Sequence, residues 1–256
     1  MKTVILCGGK GTRMREETEF RPKPLVLVGD KPILWHIMKL YSHYGYDDFV
    51  LCVGYKGELI KRYFMDMSWL NNDFTVWLGK EPDVQILTNN NENWRVTIVD
   101  TGPEAQTGSR IKQVEKYIDG DDFMLTYGDG LSDVDIPALL NRHRQSGRAA
   151  TLTGVHPTSP FGVIETLGGA VTSFREKPVL DDIINGGFMA LNRRVFGYIP
   201  DENVAFEQEP LHRLAKDGEI AIHQHNGFWT AIDTLKDIER VNGIWATGEA
   251  PWKLWK

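Results

Sequence analysis

The feature that most constrains the fold of this chain is the alternation of apolar runs with helical patterns over its first 130 residues. Three apolar runs, at Thr3–Leu6, Asp48–Val53 and Asp122–Tyr127, are bounded by turn residues and are typical of buried strands. The helical patterns between them lie at Ile33–Tyr41, Gly57–Phe64 and Gln106–Ile118. Strands that alternate with helices pair in parallel through right-handed crossovers. We therefore predict an α/β fold with an open, mostly parallel, Rossmann-like sheet.

The second half of the chain has a different pattern. Four short strand-like runs follow with little helix between them, at Ala150–Val155, Gly162–Glu165, Ala170–Phe174 and Gly186–Leu191. They predict antiparallel or mixed strands added to the sheet in the C-terminal half. Two late helices are predicted at Phe206–Ala215 and Thr234–Trp245. Because we find no linker, repeat or low-complexity tract, we expect residues 1–256 to form a single domain.

The composition excludes several classes of protein. The net charge is −6 and the isoelectric point about 5.7, so we expect no nucleic-acid partner. Cys7 and Cys52 lie in apolar runs without a Cys or His cluster, which predicts buried free thiols rather than zinc ligands or a disulfide. No apolar run has the length of a transmembrane helix, and the apolar start is too short for a signal peptide. We expect a cytoplasmic protein without a membrane partner.

A glycine-rich turn with fixed positive charge beside it follows the first strand. The stretch from Leu6 to Pro24, LCGGKGTRMREETEFRPKP, carries Arg13 and, between two prolines, Lys23. Glycines let the backbone approach a ligand closely, and successive N–H groups form an anion-binding nest. Neither the P-loop pattern nor the dinucleotide fingerprint matches here. An arginine fork and a lysine point charge beside such a turn favour a triphosphate as the ligand.

Several motifs resemble those of the sugar-1-phosphate nucleotidyltransferase family. GGKGTR followed by RPKP resembles the family's signature, although Cys7, Met14 and Ser109 stand where alanine, leucine and glycine are usual. Other motifs match in order and spacing: FMLTYGDG at 123–130, FREKP at 174–178, INGGFMALN at 184–192 and FWTAIDT at 228–234. PILWHIMKLYSHYG, TGSRIKQV, FEQEPL and GEAPWKLWK are similar to the branch that transfers cytidylyl groups to glucose 1-phosphate. The resemblance covers nearly the whole chain and implies the family's nucleotide-diphospho-sugar transferase fold.

The resemblance implies that CTP reacts with α-D-glucose 1-phosphate to give CDP-glucose and pyrophosphate. Nucleotide binding is implied mainly for residues 1–130 and sugar-phosphate binding mainly for residues 131–256. Arg13 is implied to hold the β- and γ-phosphates, and Lys23 to neutralise charge at the α-phosphate. The implied nucleotide-binding residues are Leu6, Gly8, Gly9, Gly11, Thr12, Thr101, Thr107, Gly108, Arg110 and Gly128.

Two acidic residues match the family's metal positions, Asp129 after an apolar strand and Asp233 far along the chain. Mg²⁺ prefers hard oxygen ligands and keeps several waters, so the resemblance implies Mg²⁺ as the cofactor at these two carboxylates. Glu176 is implied to accept hydrogen bonds from sugar hydroxyls, and Lys177 to hold the sugar phosphate. The full set implied for the sugar phosphate is Gly162, Glu176, Lys177, Asn185, Gly187 and Trp229.

Several alternatives stay open from the sequence. Arg110 contacts the cytosine or lies on the exterior of its helix, and Trp229 flanks the sugar or belongs to the core. The polar stretch Gly79–Trp94 forms a solvated hairpin or reaches a neighbouring subunit. The resemblance suggests a homo-oligomer, with a hexamer as one form. The alternative functions are a uridylyl- or thymidylyltransferase and a non-catalytic sugar-nucleotide-binding regulatory subunit, and the sugar itself is undetermined.

Overall fold

Strands and helices alternate along the chain in the computed structural model, which describes residues 1–79 and 83–255. The strands are β1 (Lys2–Cys7), β2 (Leu27–Val28), β3 (Lys31–Pro32), β4 (Asp48–Val53), β5 (Phe74–Trp77), β6 (Asp83–Ile86), β7 (Arg95–Asp100), β8 (Asp122–Tyr127), β9 (Gly130–Ser132), β10 (Ala150–Val155), β11 (Val163–Leu167), β12 (Ala170–Arg175), β13 (Ile184–Asn192), β14 (Ile220–Gln224) and β15 (Trp229–Ala231). The helices are α1 (Arg15–Thr18), α2 (Ile33–His43), α3 (Gly57–Leu70), α4 (Thr107–Gln113), α5 (Ile136–Ser146), α6 (Glu209–Lys216) and α7 (Leu235–Ala246). Within these ranges, no helix is long and apolar enough to span a membrane.

Within the described ranges, seven of these strands form one central sheet, in the order β14-β10-β13-β8-β1-β4-β7. β1 pairs in parallel with β8 and with β4, β4 pairs in parallel with β7, and β10 pairs in parallel with β14. β13 runs antiparallel to both of its neighbours, β8 and β10. Antiparallel pairs also form the separate β11–β12 hairpin. The prediction of an open, mostly parallel sheet with antiparallel additions in the C-terminal half is confirmed.

Apolar side chains cover both faces of the central sheet. Successive side chains of a strand point to opposite faces. In β4, Phe49 and Leu51 therefore lie in one buried cluster, with residues of α2 and α7, while Val50 and Cys52 lie in the other, with residues of α4. Trp252 of the C-terminal tail is 1 % exposed and closes the first cluster. Each fully buried large apolar side chain contributes about 1.5–3 kcal/mol, so this two-sided core makes the continuous apolar strands favourable.

The ends of several elements differ from the prediction. β4, β8 and β10 have the predicted bounds. The helix predicted at Gln106–Ile118 ends at Gln113, and a 3₁₀ turn follows at Glu115–Tyr117. The helix predicted from Phe206 begins at Glu209, with Pro210 in its first turn, where the missing N–H costs little. β7, α5 and β14 are elements that our prediction omits.

The stretch Gly79–Trp94 contains one strand of a small hairpin. β5 and β6 pair antiparallel, and their side chains are exposed. Residues 80–82, which belong to the predicted excursion, lie outside the described residues. Beyond the hairpin, the backbone N–H of Asn90 donates to Asn72 Oδ1 at 2.6 Å, and Glu92 accepts from Lys39 at 3.0 Å. The chain thus returns to the surface of α2 and α3, and contact with a neighbouring subunit stays a prediction.

Candidate functional site

A cavity of about 260 Å³ opens at the carboxyl ends of β1 and β8, which are neighbours in the central sheet. Ligands of open α/β sheets bind at this edge. The walls are formed by Leu6, Cys7, Gly9, Gly11, Thr12, Arg13, Met14, Lys23, Pro24, Thr107, Tyr127, Gly128, Asp129 and Asp233. Both predicted catalytic residues, both predicted metal residues and six of the ten predicted nucleotide-binding residues are therefore in one place.

The glycine turn after β1 forms one wall of this cavity. Gly11 has a φ of +60°, and a Cβ there would lie 2.7 Å from Cγ2 of Thr18, so the position requires glycine. The hydroxyl of Thr18 donates to the carbonyl oxygen of Gly11 at 3.0 Å and fixes the turn. A Cβ on Gly9 would meet no atom within 4 Å. The turn is held from behind by Thr18 and leaves the backbone near Gly9 and Thr12 open to the cavity.

Lys23 lies between the two carboxylates that were predicted to bind metal. Its Nζ is 2.7 Å from Asp129 Oδ2 and 2.6 Å from Asp233 Oδ1, and its side chain is 11 % exposed. A 3₁₀ turn at Lys23–Leu25 orients the lysine, and the buried Pro24 anchors that turn. Arg13 Nη1 lies 2.9 Å from Asp233 Oδ2, but the arginine is 73 % exposed at the rim. Two cations therefore balance two carboxylates in the cavity.

Local strand pairing explains how the two carboxylates meet although they are far apart in sequence. β15 pairs antiparallel with β9, and Ala231 lies opposite Gly130. The backbone N–H of Ile232 then donates to the carbonyl oxygen of Asp129 at 2.9 Å. Asp233 is the residue before Thr234, which caps the N-terminus of α7 in a capping box with Asp237. Both aspartates are thus positioned by regular backbone structure.

The donor set at this point fits a divalent cation that prefers oxygen. Asp129 Oδ2 and Asp233 Oδ1 both lie within 2.7 Å of one ammonium nitrogen, so they converge on a single position. In the described part of the chain, no group of three or more His, Cys, Asp or Glu side chains is arranged to hold a metal ion. Two carboxylates with the remaining positions left to water and substrate phosphate oxygens match the habit of Mg²⁺.

Arg110 is buried, so the alternative that it lies on the exterior of its helix is wrong. It is 4 % exposed, and its guanidinium sits among the carboxyl ends of β1, β4 and β7. Nη1 donates to the carbonyl oxygen of Gly102 at 2.8 Å and to Thr101 Oγ1 at 2.6 Å, and Nη2 donates to the carbonyl oxygen of Gly8 at 3.0 Å. A Cβ on Gly8 would lie 2.1 Å from Nη1, and one on Gly54 would lie 2.6 Å from it. The arginine therefore ties three strand ends together beneath the glycine turn.

Burial shifts the acidity of the groups around this arginine. Desolvation lowers the pKa of Arg110, while the nearby thiols and the carboxylates of Asp100 and Glu104 partly oppose that change. The pKa of Cys7 and that of Cys52 are raised, chiefly by burial. Both cysteines are buried free thiols, as predicted, and both stay protonated. Neither thiol is activated as a nucleophile, because a nucleophilic cysteine needs a lowered pKa.

Thr107 and Gly108 begin α4 at the opposite wall. A Cβ on Gly108 would lie 2.8 Å from the carbonyl oxygen of Val204, so this glycine serves close packing against the segment before α6. The hydroxyl of Thr107 donates to Glu207 Oε2 at 2.6 Å and accepts from the backbone N–H of Phe206 at 2.8 Å. Thr107 lines the cavity, whereas Gly108, the next residue, does not form part of its wall.

The predicted sugar-phosphate residues fall into two groups. Asn185, Gly187 and Trp229 lie beside the cavity: the ring of Tyr127 covers Gly187, and the Trp229 indole N–H donates to the carbonyl oxygen of Gly186 at 2.7 Å. Asn185 Oδ1 accepts from the backbone N–H of Gly187 at 2.9 Å. The second group, Gly162, Glu176 and Lys177, lies at the β11–β12 hairpin, where Gly162 approaches Glu176 Oε2, and is not part of the cavity wall.

Two further residues near the cavity were not predicted. Tyr127 lines it, and its hydroxyl donates to Glu207 Oε1 in a short hydrogen bond. Burial, followed by the Glu207 carboxylate, raises the pKa of Tyr127, so this phenol stays protonated. Both residues lie inside motifs that carry the family resemblance, FMLTYGDG and FEQEPL. Their location in these motifs could have marked them as site residues. A tyrosine and a glutamate, however, have no specific chemical role that the sequence alone would assign.

The chain is similar to several known proteins over most of its length. A family model described as nucleotidyl transferase matches residues 2–246. The chain is 50% identical over 256 residues to a probable glucose-1-phosphate cytidylyltransferase of Bacillus subtilis, and 46% identical over 258 residues to a glucose-1-phosphate cytidylyltransferase of Salmonella typhimurium. Each alignment covers 100% of both chains. A solved structure of a putative glucose-1-phosphate thymidylyltransferase from Bacillus anthracis has a TM-score of 0.68 at 18% identity, over 95% of this chain and 94% of that one. The structural likeness shows the shared fold.

Proposed function

Because the chain belongs to the nucleotidyl transferase family, we propose that it transfers the cytidylyl group of CTP to α-D-glucose 1-phosphate, giving CDP-glucose and pyrophosphate. The base and the sugar in this proposal follow from the two relatives named as glucose-1-phosphate cytidylyltransferases, which align with the whole chain. The observation that carries the chemistry is the convergence of Arg13, Lys23, Asp129 and Asp233 beside a glycine turn. A non-catalytic binding subunit has no need for this set, so the enzyme is the better supported function.

The reaction needs positioning and charge neutralisation more than it needs a protein nucleophile. An oxygen of the sugar phosphate attacks the α-phosphorus of CTP, and the bond from that phosphorus to the bridging oxygen breaks as pyrophosphate leaves with the electron pair. The attacking phosphate is already ionised near neutral pH, so no protein base has to remove a proton. Two polyanions must instead be held in line with cationic groups facing their phosphates.

Arg13 and Lys23 supply that charge at two positions. Arg13 is exposed at the rim, where it can hold the β- and γ-phosphates and stabilise the departing pyrophosphate. Lys23 lies deeper and neutralises the charge that develops at the α-phosphate. Asp129 and Asp233 are the residues that hold Mg²⁺ in this proposal. The bound ion supplies Lewis-acid neutralisation of phosphate oxygens.

The cytosine site lies, in this proposal, beside Arg110 and the backbone of Thr101, Gly102, Thr107 and Gly108. Cytosine has an amino donor next to a ring acceptor, so its site must present an acceptor and a donor. Arg110 orients the carbonyl oxygens of Gly8 and Gly102, which are acceptors, and remains our candidate for direct contact with the base. UTP or dTTP would set a carbonyl oxygen against a protein acceptor, which costs roughly 1–3 kcal/mol, or about ten- to a hundredfold in affinity.

The sugar phosphate lies, in this proposal, on the Tyr127 side of the cavity. Asn185, Gly187 and Trp229 are adjacent to that wall. Glu176 and Lys177, which lie at the β11–β12 hairpin outside the wall, are our candidates for contact with the sugar hydroxyls and the sugar phosphate. Residues 1–130 then serve mainly the nucleotide and residues 131–256 mainly the sugar phosphate. We also propose that the enzyme works in the cytoplasm as a homo-oligomer, with a hexamer as one form.

A matrix of the four ribonucleoside triphosphates and dTTP against several sugar 1-phosphates, with Mg²⁺, tests the function. Pyrophosphate release should be greatest for CTP with glucose 1-phosphate, and excess chelator should abolish it. Asp129→Ala and Asp233→Ala should each nearly abolish turnover, because losing one ligand costs several kcal/mol of transition-state stabilisation. Use of UTP or dTTP at the rate of CTP would refute the base assignment, and full turnover in chelator would refute the metal assignment.

A further inference from the structure

One carboxylate joins two walls of the cavity. Glu207 lies between Phe206 and the start of α6, and neither the proposed chemistry nor the proposed binding sites use it. Its Oε1 accepts from the hydroxyl of Tyr127 and its Oε2 accepts from the hydroxyl of Thr107 at 2.6 Å. Both of these partners line the cavity. Tyr127 ends β8 and Thr107 begins α4, so a single side chain connects the wall beside Asn185 and Gly187 to the wall beside the proposed base site.

The segment that carries Glu207 is itself fixed to the beginning of α4. The backbone N–H of Gln106 donates to Asn203 Oδ1 at 2.8 Å, and its side-chain amide donates to the carbonyl oxygen of Asn203 at 2.9 Å. The hydroxyl of Ser109 donates to the carbonyl oxygen of Glu202 and accepts from the backbone N–H of Val204. Although Glu207 is exposed, its backbone is therefore anchored, and the carboxylate is held at a set distance from α4.

The hydroxyls of Tyr127 and Thr107 must both act as donors here. The Thr107 hydroxyl oxygen already accepts from the N–H of Phe206, so its proton is directed to Glu207. The Tyr127 hydroxyl points its proton at Glu207 Oε1, since a carboxylate can only accept. An ionised carboxylate offers an acceptor to each of them, whereas a glutamine amide offers one acceptor oxygen and a donor nitrogen. Glutamine therefore cannot replace both bonds.

The Tyr127 ring transmits this restraint to the sugar side. A Cβ on Gly187 would lie 2.5 Å from Cδ2 of the ring, so ring and backbone are in close contact at a residue whose φ is +84°. Fixing the hydroxyl fixes the tilt of the ring against that backbone. Asp129 follows Tyr127 by two residues. Movement of the ring would therefore change the distance between Asp129 and Gly187, which is the width of the cavity at this point.

We propose that Glu207 is a positioning residue that sets the spacing between the nucleotide side and the sugar side of the cavity. This role rests on the proposed function. A ligand that touches both sides, CDP-glucose, depends on the spacing, whereas CMP and glucose 1-phosphate each touch one side. Glu207→Gln should therefore weaken binding of CDP-glucose by roughly tenfold, the effect expected for losing a hydrogen bond to a charged group, and leave binding of CMP and glucose 1-phosphate within about twofold.

Calorimetric titration of wild type, Glu207→Gln, Tyr127→Phe and the double variant with the three ligands tests the proposal. Glu209→Gln is the matched control, because Glu209 is exposed two residues away and pairs only loosely with Arg213, at 3.8 Å. The double variant should lose no more CDP-glucose affinity than Glu207→Gln, since the Tyr127 hydroxyl acts through Glu207, and Glu207→Asp should not restore affinity because it is shorter. Thermal unfolding midpoints of the variants identify an effect on folding alone.

The outcomes separate this role from the proposed function. Selective loss of CDP-glucose affinity, with non-additive effects of the two substitutions, supports the role of Glu207. Equal affinity of Glu207→Gln and wild type for CDP-glucose, or an equal loss for all three ligands, overturns it while the transferase function stands. A wild-type protein that binds CDP-glucose no better than CMP overturns the proposed function and this role with it.

Discussion

Replacing Lys23 by methionine should make the carboxylate pair bind a divalent cation more tightly when no nucleotide is present. The Lys23 ammonium lies 2.7 Å from Asp129 Oδ2 and 2.6 Å from Asp233 Oδ1, at the point where those oxygens converge. A cation that binds both carboxylates must first displace this ammonium. Methionine has similar length and no charge, so Lys23→Met removes the competitor and leaves the carboxylates in place.

The size of the effect follows from the two contacts that are lost. Hydrogen bonds to charged groups contribute about 1.5–3 kcal/mol each, and the aspartate side chains are 34 % and 26 % exposed, which favours the lower value. Two such contacts amount to about 3 kcal/mol, or roughly a hundredfold in cation affinity. Arg13 still pairs with Asp233 in the variant and opposes cation binding, so at least a tenfold gain is the expectation.

Mn²⁺, which shares the preference of Mg²⁺ for carboxylate and water ligands, serves as the probe. The paramagnetic resonance signal of free Mn²⁺ is followed during titration of nucleotide-free protein. Lys10→Met is the matched control, because Lys10 pairs with Glu104 at 2.7 Å and does not contact the two aspartates. Asp129→Asn added to Lys23→Met should remove the gain. If Lys23→Met binds Mn²⁺ no more tightly than wild type, Lys23 is not a competitor for this site and the reasoning fails.

Three other substitutions test the remaining structure. Gly8→Ala should displace the Arg110 guanidinium, whose Nη1 lies 2.1 Å from the added Cβ, and raise the KM for CTP roughly tenfold. Gly197→Ala, whose added Cβ meets no atom within 4 Å and which lies outside the cavity wall, should leave that KM unchanged, and equal effects in steady-state assays would contradict the reasoning. His36 is 1 % exposed, and burial lowers its pKa to about 4. Because its unfolded pKa is about 6.5, the free energy of unfolding should fall by about 3 kcal/mol between pH 7.5 and pH 4, and His36→Phe should remove this component of the slope in denaturant titrations. Lys177→Ala should raise the KM for glucose 1-phosphate more than that for CTP, and the reverse order would show that the two phosphate sites are assigned the wrong way round.

Sequence patterns predict the buried strands well because a strand that is buried on both faces is a continuous run of apolar residues. β4, β8 and β10 are continuous apolar runs that end at turn residues, and their observed bounds equal the predicted ones. β7 and β14 are only partly buried, so their residues are mixed and give no such run. α5 begins with an Asp135 cap and ends before Gly147, and its four buried side chains lie at helical spacing, at Ile136, Leu139, Leu140 and His143. Its sequence therefore carries a helix pattern that our prediction omitted. What the local pattern does not contain is the packing of this helix on β10, β13 and β14.

The sequence predicts which residues belong to the candidate site but not how they come together, because their convergence depends on contacts between distant segments. Motifs identify Lys23, Asp129 and Asp233 as residue types with suitable chemistry, but their convergence depends on the pairing of β9 with β15. The environment of Arg110 is harder to predict. Three strand ends meet around it, and glycines at positions 8 and 54 leave the space for its guanidinium. A helical pattern around residue 110 carries no information about those distant strands, so the sequence leaves buried and exposed positions equally open.

The reversed direction of β13 explains why nucleotide and sugar residues share one edge of the sheet. A parallel neighbour of β8 would bring its carboxyl end to the edge where Gly128 and Asp129 lie, and its first residues would be at the far edge. β13 is antiparallel to β8, with Phe188 opposite Thr126, so its first residues lie beside the carboxyl end of β8. Asn185 and Gly187 thereby reach Tyr127, next to the cavity that the β1 turn also lines. One antiparallel strand in a mostly parallel sheet thus places the residues proposed for the acceptor sugar beside those proposed for the triphosphate.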